Sequence, residues 1–208
     1  MFTGGEDINP ALYNENVGKH THFNRKRDLY EVALYNMYPD TPKLGVCRGH
    51  QLLTVLAGGS LIQHVSQHSN GMHDMILYTG EKLSVTSCHH QMADLSKLQP
   101  LEDYFLIGWA HARSTTYLNG DNEEHTCAKY AGQLRNIVHK EPEMVYFPQI
   151  KAITVQLHPE WQDGSKVQDY VADWCERLVD GECESFLGRQ FDKKTTLEDY
   201  YDEVYGYN

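Results

Sequence analysis

The chain has 208 residues, enough for one sizeable core and too few for two independent ones. Its 18 Lys and Arg against 29 Asp and Glu leave a formal net charge of −11 at pH 7, so its field repels a polyanion and nucleic acid is excluded as a natural partner. No apolar run approaches the roughly 20 residues of a membrane-spanning helix, and Met1-Phe2-Thr3-Gly4-Gly5-Glu6-Asp7 has no basic segment leading into an apolar stretch, so neither a membrane span nor a secretory signal is read.

In chain order, Thr3-Gly4-Gly5-Glu6-Asp7-Ile8-Asn9-Pro10 is a cluster of turn formers and reads as a loop. From Asn24 the spacing of Leu29, Val32, Ala33 and Met37 predicts a helix with that apolar face inward, stopped by Pro39. Lys43 to Val46 reads as a short strand and Gln51 to Ala57 as an apolar helix ended by Gly58-Gly59; Ser60 to Gln63 resumes as extended chain. Residues 64 to 74 are polar and read as a loop. Met75 to Tyr78 and Lys82 to Ser87 flank Thr79-Gly80-Glu81 as a hairpin would. Tyr104 to Ala110 has the pattern of a buried strand, residues 113 to 143 read as polar and irregular, and Ile150 to Gln156 reads as a strand. Val167, Val171, Trp174, Cys175 and Leu178 mark an amphipathic helix. The alternation predicts an α/β domain over residues 1–191, with antiparallel hairpins added to its sheet, followed by an acidic, tyrosine-rich tail over 192–208.

Five cysteines (Cys47, Cys88, Cys127, Cys175, Cys183) with no C-x-x-C pair fit neither a disulfide framework nor a thiolate zinc site, and point to a reducing, cytoplasmic setting. Each is by default a small buried hydrophobe. Cys47 departs from that default, because Gly45-Val46-Cys47-Arg48-Gly49 places it where a strand turns into a helix, with glycines two residues to either side. There a thiolate is favoured by the helix N-terminus, and the Arg48 N–H is available to an oxyanion. His158 leaves the strand that ends at Gln156. Glu160, two residues on, is placed to hold the second ring nitrogen of His158, which completes a Cys, His, Glu set.

Gly45-Val46-Cys47-Arg48-Gly49-His50-Gln51, Leu157-His158-Pro159-Glu160-Trp161, Ser87-Cys88-His89-His90-Gln91 and the opening Thr3 to Pro10 segment together resemble the class I glutamine amidotransferase superfamily. Within it they are most similar to the γ-glutamyl hydrolase branch, peptidase family C26. The resemblance implies a flavodoxin-like three-layer α/β fold. It implies Cys47 as nucleophile, His158 as base and acid, Glu160 orienting His158, an oxyanion hole from Gly5 and Arg48, and Gln51, His90 and Gln91 near a γ-glutamyl group. It implies no cofactor, and a small-molecule γ-glutamyl amide or glutamine as substrate. A synthetase subunit fed with ammonia and a second copy of the chain are the partners it allows for; a binding module without activity is the alternative from another class. Members of the superfamily place two βα units and a third strand before the Gly-Gly loop, so the chain reads as N-terminally shortened, with an edge of the sheet exposed or covered by another element.

The chain has twelve histidines, among them His20, His22, His64, His68, His73, His89 and His90, but no H-E-x-x-H or carboxylate-spaced set, so no metal is expected from spacing. The Glu198 to Glu203 run reads as a solvated face.

Overall fold

A computed structural model describes residues 1–111, 114–121, 124–125 and 140–191; Cys127, the Glu198 to Glu203 run and the expected tail lie outside the described residues. The central sheet contains β1 (Lys43–Val46), β4 (Met72–Leu77), β5 (Lys82–Thr86), β7 (Phe105–His111), β10 (Lys140–Phe147) and β11 (Ala152–Val155), in the order β1-β11-β10-β7-β4-β5. β1 and β11 pair in parallel, and the remaining neighbours are antiparallel. Short ribbons, β2 (Ser60–Ile62) with β6 (Met92–Asp94) and β3 (His64–Val65) with β8 (Tyr117–Leu118) and β9 (Glu124–His125), stand beside it. The outer side of β1 is partly occupied: the Phe2 N–H donates to the Leu44 carbonyl (2.8 Å) and the Val46 N–H to the Phe2 carbonyl (2.9 Å), in parallel register.

Helices α1 (Arg25–Met37), α2 (Arg48–Leu56), α3 (Lys166–Val179) and α4 (Cys183–Phe191) complete the described α/β architecture. Alternation along the strands sorts the core into two layers. Met144 and Tyr146 of β10, with Phe105 and Ile107 of β7, face Val167, Val171, Trp174 and Leu178 of α3. Val145 and Phe147, with Leu106 and Trp109, face Leu52, Leu53 and Val55 of α2. This is the three-layer α/β arrangement expected of the class I glutamine amidotransferase fold, with the hairpin β4–β5 at one edge. Among the described residues no helix is long and apolar enough to cross a membrane.

Three expectations are corrected. The inward face of α1 is charged: Leu29 and Met37 are exposed, and Asp28 and Glu31 are buried. The cause is Arg48 at the start of α2, whose guanidinium is buried and paired with both carboxylates, at 2.5 Å to Asp28. The segment 64 to 74 is not all loop, since it holds β3 and the first residues of β4. The strand before Tyr146 begins at Lys140, inside a stretch read as irregular. Its Glu141 and Glu143 are buried against histidines, so a search for apolar alternation passes over it.

Removing the Arg48 cation leaves the Asp28 carboxylate buried with the Asn9 N–H (3.2 Å) as its remaining donor. An Arg48→Met variant is therefore expected to lose about 3–5 kcal/mol of stability. Urea denaturation checks this as a lowered midpoint at unchanged slope.

Candidate active site

Cys47 occupies the turn from β1 into α2 with φ 53° and ψ −107°, a backbone region that costs a non-glycine residue about 1–3 kcal/mol. The surroundings hold it there: the Cys47 N–H donates to the Val155 carbonyl (2.8 Å), and its own carbonyl accepts from the Gln51 N–H (3.1 Å). The flanking glycines are required by close approach. A Cβ on Gly45 would sit 2.6 Å from the Gly49 carbonyl oxygen, and one on Gly49 would overlap the Phe2 carbonyl. Both parts of the sequence-level elbow, the strand-to-helix turn and its glycines, are present.

His158 follows β11. Its backbone N–H donates to Thr86 Oγ1 (2.9 Å), its Nδ1 lies 2.6 Å from Glu160 Oε1, and its ring stacks on Trp161 at 3.9 Å and 5°. The imidazole is nearly buried while the Glu160 side chain is half exposed. The Gly4-Gly5 loop closes over both groups: a Cβ on Gly4 would lie 2.9 Å from His158 Cε1, 3.6 Å from His158 Nε2 and 3.6 Å from Cys47 Cβ. No side chain larger than hydrogen fits between them.

A cleft of about 210 Å³ opens beside Cys47 and is bordered by Gly5, Gln51, Cys88, His90 and Gln91. The three residues expected near a γ-glutamyl group thus share one wall system. Gln51 Nε2 donates to Gln156 Oε1 (3.1 Å) and Gln91 Nε2 to the Gln63 carbonyl (3.2 Å). The Oε1 of Gln91 is a buried acceptor with no hydrogen-bond partner. His90 Nε2 contacts Asp7 Oδ1 at 2.9 Å, which ties the cleft wall to the opening loop. Asp7 was not singled out by its sequence position. The Arg48 N–H is directed at the Cys47 sulfur, and Gly5 borders the same cleft.

The residue that sequence reasoning passed over is Cys88. It is exposed, and its thiol lies within hydrogen-bonding reach of both Cys47 and His158. Its position inside the Ser87 to Gln91 segment was the available signal. The two thiols share one proton: donation from Cys47 and the nearby His158 bring Cys88 down to about 6. The same hydrogen bond, together with burial, pushes Cys47 up. The first negative charge at this site therefore resides on Cys88.

Residues 1–90 match the Peptidase C26 family. The glutamine amidotransferase-like protein YvdE of Lactococcus lactis is 30% identical over 167 residues, which is 77% of this chain and 64% of that protein. NtpR of Enterococcus hirae is 42% identical over 71 residues, 33% of this chain and 30% of its own. The chain thus spans less than two thirds of the length of these curated relatives. A solved glutamine amidotransferase of Thermotoga maritima overlaps 80% of this chain and 68% of its own, at 14% identity and a TM-score of 0.44. Over residues 1–90 the chain is thus similar to the Peptidase C26 family, and over most of its length to a glutamine amidotransferase-like protein.

Replacing Cys88 with alanine removes both the ionisable thiol and the acceptor that holds the Cys47 proton. Cys47 is then expected to ionise at lower pH and to be alkylated faster at neutral pH, while the thiol titration near pH 6 disappears. Iodoacetamide labelling across pH, with mass-spectrometric mapping of each cysteine, measures both changes.

Proposed function

We propose that the protein hydrolyses γ-glutamyl amide bonds through a glutamyl thioester on Cys47. The observation that carries this reading is that a strained Cys47, which borders the cleft, and the His158 ring held by Glu160 both pack against the same Gly4-Gly5 loop. Cys47 gives its proton to Nε2 of His158 and attacks the γ-carbonyl carbon. The N–H groups of Gly5 and Arg48 receive the oxyanion. His158 passes the proton to the amine as the C–N bond breaks, leaving the acyl group on sulfur. Water then gives a proton to Nε2 and attacks the thioester, and the proton returns to sulfur as glutamate leaves. Glu160, at 2.6 Å from Nδ1, keeps that nitrogen protonated and Nε2 free to accept.

Gln51, His90 and Gln91 border the volume beside the sulfur and supply amide and imidazole groups suited to an α-amino acid head. The amine side of the substrate would extend toward solvent, past Cys88.

A panel of γ-glutamyl amides is expected to release glutamate and free amine, and a quenched reaction to contain a glutamyl adduct on Cys47. Cys47→Ala abolishes both, and His158→Asn lowers turnover by about 10²–10⁴-fold. Turnover by Cys47→Ala equal to that of the parent chain sinks the proposal. Free glutamine as the best substrate, with turnover rising on addition of a synthetase, would assign the site to ammonia delivery instead.

A further inference from the structure

Behind the cleft wall, and joined to it through His89, lies a buried cluster of His68, His73, His89, Glu141 and Glu143 for which the proposed reaction has no use. His68 is 0%, His89 5% and Glu143 1% exposed. One potential ligand atom from each of these three lies within 4.8 Å of the others.

The hydrogen bonds around the cluster set its protonation pattern. Nδ1 of His89 donates to the Gln91 carbonyl (2.8 Å), which can only accept, so the lone pair of the neutral ring is on Nε2. Nε2 of His68 lies 2.7 Å from Glu141 Oε2, and its Nδ1 lies 3.2 Å from Ser87 Oγ, whose hydroxyl donates to the His68 carbonyl (2.9 Å). Nε2 of His89 and Nδ1 of His68 face Glu143 Oε1 at 3.9 Å and 4.0 Å, and Nε2 of His73 donates to the same oxygen at 2.9 Å. Among the described residues, Nε2 of His89 and Oε2 of Glu143 have no hydrogen-bond partner. An unpartnered imidazole nitrogen of His89, an unpartnered oxygen of Glu143 and the Nδ1 of His68, held by Ser87 alone, thus converge in a buried interior, an arrangement that is costly without a cation among them.

We propose that His68 Nδ1, His89 Nε2 and the Glu143 carboxylate hold a divalent cation of the zinc class. Bonds of about 2.0–2.2 Å put tetrahedral donors roughly 3.4 Å apart, so the two separations to Glu143 contract by about half an ångström and that between the two imidazole nitrogens, within 4.8 Å, by at most about 1.4 Å. Two imidazoles and a carboxylate suit zinc and cobalt(II) better than magnesium or calcium. Glu141 on His68, the Gln91 carbonyl on His89 and His73 on Glu143 are the outer partners that orient such ligands. The ligands come from the β3–β4 connection, the segment after β5, and β10, so no short motif announces them. The expectation that spacing excludes a metal is thereby revised for this cluster. The bound cation would fix the Cys88 to Gln91 segment to the central sheet and so hold one wall of the cleft.

The test uses the full chain with Cys47 and Cys88 both changed to serine, which removes thiolate ligands from the neighbouring site. After chelator treatment, calorimetric titration with Zn²⁺ is expected to saturate at one ion per chain. Co²⁺ is expected to give visible bands of low-symmetry four-coordinate cobalt that Zn²⁺ abolishes. Glu143→Gln should weaken Zn²⁺ binding by about 100-fold or more, and Glu141→Gln, which keeps every ligand, by about 10–100-fold. His64→Ala, in the neighbouring exposed histidine group, should leave the affinity unchanged. Absence of saturable Zn²⁺ binding and of cobalt bands in the folded chain overturns the proposal, as does binding lost with His64→Ala and kept with Glu143→Gln. Should Glu143→Gln not fold, Glu141→Gln and the cobalt spectrum decide.

Discussion

Everything at the cleft depends on the backbone of one residue. Cys47 is held at φ 53° between β1 and α2, a conformation that unconstrained chain would leave at once. What opposes relaxation comes from three directions: the Val155 carbonyl on β11, the α2 turn closing at Gln51, and the Phe2 segment packed against Gly49. The parallel pairing of β1 with β11 matters for the same reason. It fixes the register Val46 with Val155, so that the chain leaving β11 delivers His158 to the side on which Cys47 emerges. Strain at the sulfur and placement of the imidazole are two consequences of one ladder.

A second constraint is electrostatic and lies one residue further on. Arg48 offers its N–H to the sulfur and buries its guanidinium against Asp28 and Glu31, so the head of α2 is clamped to α1 by charge, beside the apolar packing of Val32 and Tyr35. Burying such a group is tolerable only because both carboxylates come with it. The clamp explains why Leu29 and Met37 face outward on a helix whose spacing predicts the reverse: once the polar face is committed to Arg48, these two residues have to point away.

Legibility in the sequence follows the same division. Elements whose side chains meet apolar neighbours were readable: β1, the hairpin at Gly80, α2 and α3 lie within a few residues of where periodicity puts them. The residues expected at the cleft, from Cys47 and His158 to Gln51, His90 and Gln91, are gathered in one region because motif spacing encodes the turn that presents them. Periodicity failed wherever the interior is polar. Two inward residues of α1 are acidic, and β10 opens Lys140-Glu141-Pro142-Glu143, with Pro142 next to a register shift and both glutamates turned to histidines of the β3–β4 connection and β4. Such partners are fixed by tertiary contact, and a one-dimensional pattern carries no trace of them.

The two thiols show how far composition can mislead about chemistry. A cysteine count assigns Cys88 to the bulk of inert residues, yet its sulfur shares a proton with Cys47 beside His158. The single negative charge has two seats with different supports. On Cys88 it is stabilised by solvent and by donation from Cys47; on Cys47 it is stabilised by the Arg48 N–H and the N-terminus of α2, neither of which needs water. Under the proposed reaction, a substrate that covers Cys88 removes the first support and leaves the second intact. The Cys47 proton then leaves its hydrogen bond to Cys88 for Nε2 of His158, and the charge that develops on the attacking sulfur meets the Arg48 N–H and the head of α2.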